Sequence, residues 1–327
     1  MDPRPASLPT RRSLLAAALA SATAAAFGQA APWPTKPIRF ITPAPAGVAP
    51  DVFARLYAEQ LAKALGVAVV VENRPGAALI IGTEAVAKAA PDGYTLLYGT
   101  NSPFTMNPAL YARLPYDPQK DFAPVVQNIT GAYFLVAGND FPAKDLAGLV
   151  ALAREKPDAL AYGSYGSGTA SHLGFELLQE ATRIQLRHVP YKQGVLNDVI
   201  GGQVALSIEP AASIVQFIKT GRVKALAYTG SKRSAVLPDV PTLSETVPGL
   251  ELLGWHGVWA PAGTPPAIVA RLNTEINHIT RSPDMARRIA DMGFSPAAST
   301  PQELASIVAR ESDSWGKLIR AKGIRLD

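Results

Sequence analysis

Residues 161–172 read AYGSYGSGTASH, an apolar strand signal running into three glycines and the hydroxyls of Ser164, Ser167, Thr169 and Ser171, with a helical pattern following over 172–182. In a strand–loop–helix order, so small and polar a loop lies at the carboxyl end of a strand, above a helix N-terminus. Free amides there favour an anion by ~0.3–1 kcal/mol through the helix dipole. Two uses stand side by side: an anion-binding helix start, or a turn that caps the helix through Ser167 or Thr169. Three other uses fail on spacing. A nucleophile elbow needs G-x-S-x-G, but Tyr162 and Tyr165 stand where the first glycine before Ser164 and Ser167 should be. No Gly-Lys-Ser/Thr follows, as a P-loop requires, and Gly163, Gly166 and Gly168 reverse the dinucleotide fingerprint.

The same alternation extends along the chain. Strand-like runs at 37–43, 67–71, 95–98, 133–137, 160–162, 186–189, 204–208 and 223–228 are separated by helical patterns. The helix expected over 51–65 places Val52, Leu56, Leu61 and Leu65 on or near one face, and others fall at 83–90, 143–155, 172–182 and 211–220. Crossovers of this length predict parallel sheets with helices on both faces. Changes of character near 127–131 and over the proline- and glycine-rich 238–265 divide the chain in two. Helices at 266–280, 283–292 and 301–321, each opening beside a proline, are expected to pack back onto the first half. Trp255 and Trp259 are assigned to packing, since aromatics make up 7% of the chain and are not interleaved with basic residues.

With 17% charged and 48% hydrophobic residues among 327, the chain has the composition of a globular protein with a large interior. Its first thirty residues carry Arg11 and Arg12, an Ala/Leu-rich run to Phe27 and a small-residue cleavage pattern at 28–30, the layout of a secretory signal peptide. The paired arginines leave ordinary and twin-arginine export both open. Losing Arg4, Arg11, Arg12 and Asp2 from 31 basic and 26 acidic residues leaves a net charge of +3, too small to call for a nucleic-acid partner. Cysteine is absent, and His172, His188, His256 and His278 lack metal-ligand spacing, so neither a metal nor a cofactor is expected.

The loops at strand ends, 42–51, 99–102, 164–172, 190–194 and 209–213, are small, polar and poor in charge. Two or three of them meeting at one carboxylate can hold it without an arginine, each charge-assisted hydrogen bond adding ~1.5–3 kcal/mol. His172, in the first turn of its helix, is expected to be neutral because an imidazolium would oppose the dipole. Lys192 is the loop cation able to meet an acidic ligand, and Glu209 is either an acceptor for ligand hydroxyls or amines or a fixture of the hinge.

Six landmarks in order, VENRPGA at 71–77, APDGYTLL at 90–97, SGTASHL at 167–173, HVPYK at 188–192, GGQV at 201–204 and APAGTP at 260–265, resemble the Bug-type receptors of tripartite tricarboxylate transporters. The resemblance runs from Trp33 to the C-terminus. It implies a two-lobed α/β periplasmic binding protein (type II-like), each lobe a mostly parallel sheet flanked by helices, with the ligand cleft between them. Lobe 1 would comprise 34–131 and 254–327, lobe 2 would comprise 132–253, and 1–30 would be removed on export to the periplasm. A small carboxylated compound would be bound without reaction and passed to membrane permease subunits by a monomer. The expected ligand contacts are Gly47, Val48, Asp51, Thr100, Asn101, Ser102, Ser164, Ser167, Thr169, Ala170, Ser171, Tyr191, Lys192 and Glu209.

The chain departs from the family pattern on the first lobe. Ala46-Gly47-Val48-Ala49-Pro50-Asp51 lacks a glycine and a hydroxyl usual before the aspartate, and Pro50 removes an amide donor. Residues 78–82, ALIIG, stand where relatives have Gly-Gly-Asn-Ile-Gly. These changes point to a carboxylate with a larger or more apolar body than a citrate-like acid, an aromatic carboxylate among the candidates; if the substitutions face into the lobe, they leave specificity untouched. Two rival functions use the same residues: presentation of a ligand to a membrane sensor, and an exported serine hydrolase built from Ser164 or Ser167 with His172 or His188.

Overall fold

The structure, a computed structural model, describes residues 33–191 and 195–326; the expected leader and Lys192 lie outside them. The first wing is β1 (Ile38–Thr42), α1 (Ala49–Leu65), β2 (Val69–Asn73), α2 (Ile80–Ala87) and β3 (Thr95–Thr100), followed by the single-turn helices α3 (Ser102–Thr105) and α4 (Asn107–Leu110). A 17-residue strand, β4 (Phe122–Gly138), leads to the second wing. That wing holds α5 (Leu146–Glu155), β5 (Ala161–Ser164), α6 (Ala170–Thr182), β6 (Arg187–Pro190), α7 (Val195–Ile200), β7 (Leu206–Pro210), α8 (Ala211–Lys219), β8 (Val223–Tyr228) and α9 (Leu243–Thr246). The chain returns through β9 (Leu253–Pro261) and closes with α10 (Pro266–Arg281), α11 (Pro283–Asp291), β10 (Ser295–Pro296) and α12 (Pro301–Ala321). Among the described residues, no helix is long and apolar enough to cross a membrane.

Both wings are parallel, as the crossover rhythm predicts: β1 lies between β2 and β3, and β5 between β6 and β7. The middle is not. There β4 and β9 run antiparallel to each other, β9 antiparallel to β3, and β4 antiparallel to β7 and β8, making a mixed sheet. The reason is the length of β4, of which the sequence pattern gives only the last part. Residues 122–132 pair with β9, from Phe122↔Pro261 to Ala132↔Leu253, and from Tyr133 onward the same strand pairs with β7 and β8.

Each wing has its own apolar interior. In the first, α1 lays Phe53, Tyr57 and Leu61 against Phe40, Tyr98, Val258 and Ile276. The buried face is thus centred on the aromatic pair, whereas Val52, Leu56 and Leu65 are only partly covered. Simple counting of Val and Leu missed it because two of the largest residues of the stripe are aromatic. In the second wing Leu135, Tyr162, Phe175, Leu206 and Leu226 pack together. Each such side chain contributes about 1.5–3 kcal/mol on full burial.

One segment opposes this economy. Ala77 (φ 45°), Ala78 (φ 50°) and Leu79 (φ 72°) succeed one another in the left-handed region. Ala78 and Leu79 open the 78–82 segment at which the sequence departs from the pattern it resembles. A non-glycine residue there costs about 1–2 kcal/mol. The turn is held in part by Asn107 Nδ2, which donates to the Ala78 carbonyl at 3.0 Å. Since Ala78 is exposed, Ala78→Gly should relieve strain without losing packing. Urea denaturation is expected to show a gain of about 1 kcal/mol; a lower midpoint would contradict the strain.

Candidate functional site

A cleft of about 540 Å³ opens where the wings meet. Its rear wall is the crossing pair itself, Gly131–Tyr133 of β4 and Gly254–His256 of β9. Around it stand four helix starts: Val48 and Ala49 of α1, Thr100–Ser102 before α3, Ala170 of α6, and Pro210–Ser213 of α8. Strands ending at one rim send their helices away from it, so the helices present their N-termini to the same space. No Asp, Glu, Lys or Arg lines the cleft among the described residues. Its walls are small residues with Tyr133, Trp255, His256 and Phe294.

The wings approach closely at two glycines. A Cβ on Gly293, at φ +76°, would lie 2.7 Å from Ala212 Cα on the opposite side. On Gly254 it would lie 2.7 Å from the Tyr133 hydroxyl, so the tyrosine lies over the rear wall only because glycine stands there.

Of the expected contacts, Val48, Thr100, Asn101, Ser102 and Ala170 line the cleft. Gly47 instead donates its N–H to Asp51 Oδ2 at 2.8 Å. Asp51 is buried, ion-paired to Arg55 at 2.9 Å and bonded by Asn73 Nδ2 at 2.8 Å. Burial alone would lift its pKa, but the bonds from Arg55, Gly47 and Asn73 bring it below the usual carboxylate range. Its acceptors are therefore spent on the loop.

The glycine–hydroxyl loop is likewise occupied internally. Ser164 is fully buried, its Oγ 2.6 Å from His188 Nε2. Thr169 is the N-cap of α6, accepting from His172 N–H, and its hydroxyl donates to the Gly166 carbonyl at 2.7 Å. Ser171 Oγ accepts from Tyr165 N–H at 3.2 Å, and His172 Nδ1 accepts from Gly168 N–H at 2.9 Å. Ser167 is exposed. What remains for a ligand is main chain. The N–H groups of Ser167, Ala170 and Ser171 have no partner among the described residues, in keeping with the orphan donors of any helix start. Tyr191 and Glu209 do not line the cleft: Tyr191 donates to Asp198 Oδ2 at 2.7 Å, and Glu209, buried beside Phe134, accepts from Tyr165 at 2.6 Å.

Sequence reasoning singled out the loop at 209–213 but not its Ala211, Ala212 and Ser213, and it placed Trp255 in the packing without its second role as a cleft wall. Trp255 Nε1 donates to both carboxylate oxygens of Glu311 of α12, at 2.9 and 3.0 Å. Nothing in the local sequence links these residues, which lie 56 apart. Among the described residues no group of His, Asp and Glu has the makings of a metal site.

A family model described as the tripartite tricarboxylate transporter family receptor matches residues 53–324. A UPF0065 protein from the tcbD–tcbE intergenic region of a Pseudomonas species is 38% identical over 319 residues, spanning 96% of this chain and 95% of its own. Protein BugT of Bordetella pertussis is 35% identical over 312 residues, with 94% and 96% covered. Among solved structures, an R. palustris protein with adipate aligns at a TM-score of 0.77 and 33% identity over 90% of this chain and 100% of its own. MatC from Rhodopseudomonas palustris with bound malate aligns at 0.73 and 32%, over 88% and 100%.

The rings beneath the loop make it sensitive to acid. His172 stacks on His188 at 4.0 Å, His188 on Tyr162 at 5.0 Å, and Tyr162 on Phe175 at 4.1 Å. Burial first, and His188 second, hold His172 at a pKa of about 4 against the opposing pull of Glu176. A histidine whose folded pKa is depressed contributes stability that is full above its unfolded value, ~6.5, and is lost as pH falls towards the folded one. Urea midpoints should therefore drop between pH 7 and pH 5. His172→Asn, which keeps an acceptor for Gly168 but does not titrate, should show a shallower drop; equal slopes would mean that His172 is not held neutral.

Proposed function

The chain belongs to the tripartite tricarboxylate transporter receptor family, and from that premise we propose that it captures a small carboxylate between two lobes and releases it unchanged to membrane permease subunits. The reading divides the chain as 34–131 with 254–327 for one lobe and 132–253 for the other, with 1–30 directing export to the periplasm. The observation that carries it is the convergence of α1, α3, α6 and α8 starts on one cleft with no Asp, Glu, Lys or Arg in its lining among the described residues. Peptide N–H groups, hydroxyls and the neutral side chains of Asn101 and His256 are then left to meet a negative charge. We assign the carboxylate to the amides of Ala170 and of residues 211–213, which line the cleft, helped by Thr100 and Ser102. Three bonds of ~1.5–3 kcal/mol each give about 4.5–9 kcal/mol in total, against about 8 kcal/mol net for micromolar binding, so burial of the ligand's body must supply the remainder and the cost of immobilisation. Asp51, Ser164, Thr169, Tyr191 and Glu209 act by fixing the loops.

The rest of the lining supports an apolar body for the ligand. Tyr133, Trp255 and Phe294 supply aromatic surface, and Val48, one of the departures from the family pattern, faces the same space. The other departure, residues 78–82, does not line the cleft. A hydrolase is disfavoured by position: Ser164 meets His188, but it is fully buried and outside the lining.

Calorimetric titration with malate, adipate, benzoate and 4-methylbenzoate separates the parts of this reading. Binding of the last two is expected; a protein that takes malate and adipate but neither aromatic acid keeps the receptor and loses the apolar body. Ala170→Asp tests the anion site itself. A carboxylate in the first turn favours the helix through its dipole, so the melting temperature should hold, while affinity for any bound acid should fall about tenfold or more through like-charge repulsion. Unchanged affinity would remove α6 from the site.

A further inference from the structure

His256 lies on the rear wall of the cleft, between Thr100 of β3 and Ile129 of β4, and is 5% exposed. Its ring is fixed on several sides: edge-on to Phe53 at 5.6 Å and to Tyr98 at 6.0 Å, and tilted against Phe294 at 5.6 Å. Nδ1 is sealed in this aromatic nest without a hydrogen-bond partner. Since the residue lines the cleft, the other ring nitrogen is the one a ligand can meet, and it too has no partner among the described residues. A ligand that fills the cleft takes water away from this nitrogen, and a ligand group that cannot bond to it leaves it unpaired at a cost of ~1–3 kcal/mol.

Burial holds the imidazole neutral, with a pKa of about 4. Two consequences follow. A second carboxylate on the ligand would find no countercharge here, since no lysine or arginine lines the cleft among the described residues. And a neutral imidazole presents either an N–H or a lone pair, depending on its tautomer. A hydroxyl satisfies both tautomers, because it donates and accepts; a methyl group satisfies neither, and a carboxylate only one.

We propose that His256 is the specificity-determining residue of the cleft and selects monocarboxylates that carry an uncharged hydroxyl remote from the carboxyl group. This rests on the carboxylate-receptor reading above and adds to it the chemistry of the ligand's other end. The aromatic walls fix the ring in advance, so the selection needs no rearrangement of side chains when the ligand arrives.

The test is calorimetric titration of two matched series: 4-methylbenzoate, 4-hydroxybenzoate and terephthalate, and hexanoate, 6-hydroxyhexanoate and adipate. In at least one series the wild type is expected to bind the hydroxy acid about tenfold more tightly than both the methyl-ended acid and the diacid. His256→Phe should abolish the preference for hydroxyl over methyl while still binding the methyl-ended acid, and His256→Gln should restore part of it. A merely structural role would lower affinity for all acids together and leave the ratios alone. Wild-type preference for a diacid, or a hydroxyl preference that survives in His256→Phe, overturns the assignment to His256 and leaves the receptor standing. Failure of all six acids to bind overturns both. Should His256→Phe not fold, the wild-type ratios together with those of His256→Gln decide the matter in the same way.

Discussion

The antiparallel ladder between β4 and β9 is the constraint on which everything else hangs. The two strands are the only ones among the described residues that run from one wing towards the other, and their register sets Gly131 opposite Gly254 at the back of the cleft. The main chain of both strands is committed to this ladder, and the loops around the floor of the site are hung from parallel strands on either side. The wings can then differ in sequence and packing and still aim their helix starts at one space.

That geometry explains the scarcity of charge. A buried cation needs a partner when no ligand is bound and otherwise bears a large desolvation penalty. Peptide amides at helix starts avoid this, being fixed dipoles that water can solvate when the cleft is empty. The side chains nearby serve the loops instead: Asp51 ties 47–51 to Arg55 and Asn73, Glu209 holds Tyr165, and Glu311 of α12 orients Trp255. Carboxylates are thus kept one layer behind the cleft, where they accept hydrogen bonds from the donors that shape its loops and walls.

The legible and illegible parts of the sequence divide along the range of the interactions. The alternation of strands and helices, the three proline-initiated C-terminal helices and the cap at Thr169 are written in neighbouring residues, and all appear in the structure. The 17-residue span of β4 was not legible, because Pro124 and Gly131 interrupt its pattern and only pairing with β9 sustains it. For the site, the loops at 99–102 and 164–172 were found by composition alone. Which atoms of them face the cleft was not, since the hydroxyls of Ser164, Thr169 and Ser171 look like ligand contacts until they are seen bonded to His188, to the Gly166 carbonyl, and to the Tyr165 N–H and Thr169 hydroxyl. His256 and Phe294 are drawn together from distant segments, and no local pattern announces that.

The grip of peptide groups that we propose has an evolutionary corollary. The N–H groups at the starts of α6 and α8 belong to the backbone, so a sequence that folds this way keeps them, and no single replacement other than proline deletes one. Selection acting on the lining therefore moves freely through the wall residues, such as Val48, Tyr133, His256 and Phe294, exchanging one cargo for another while the anchor stays in place. Diversification of such a scaffold should be gradual and reversible, with affinity for the acid group inherited and everything else negotiable.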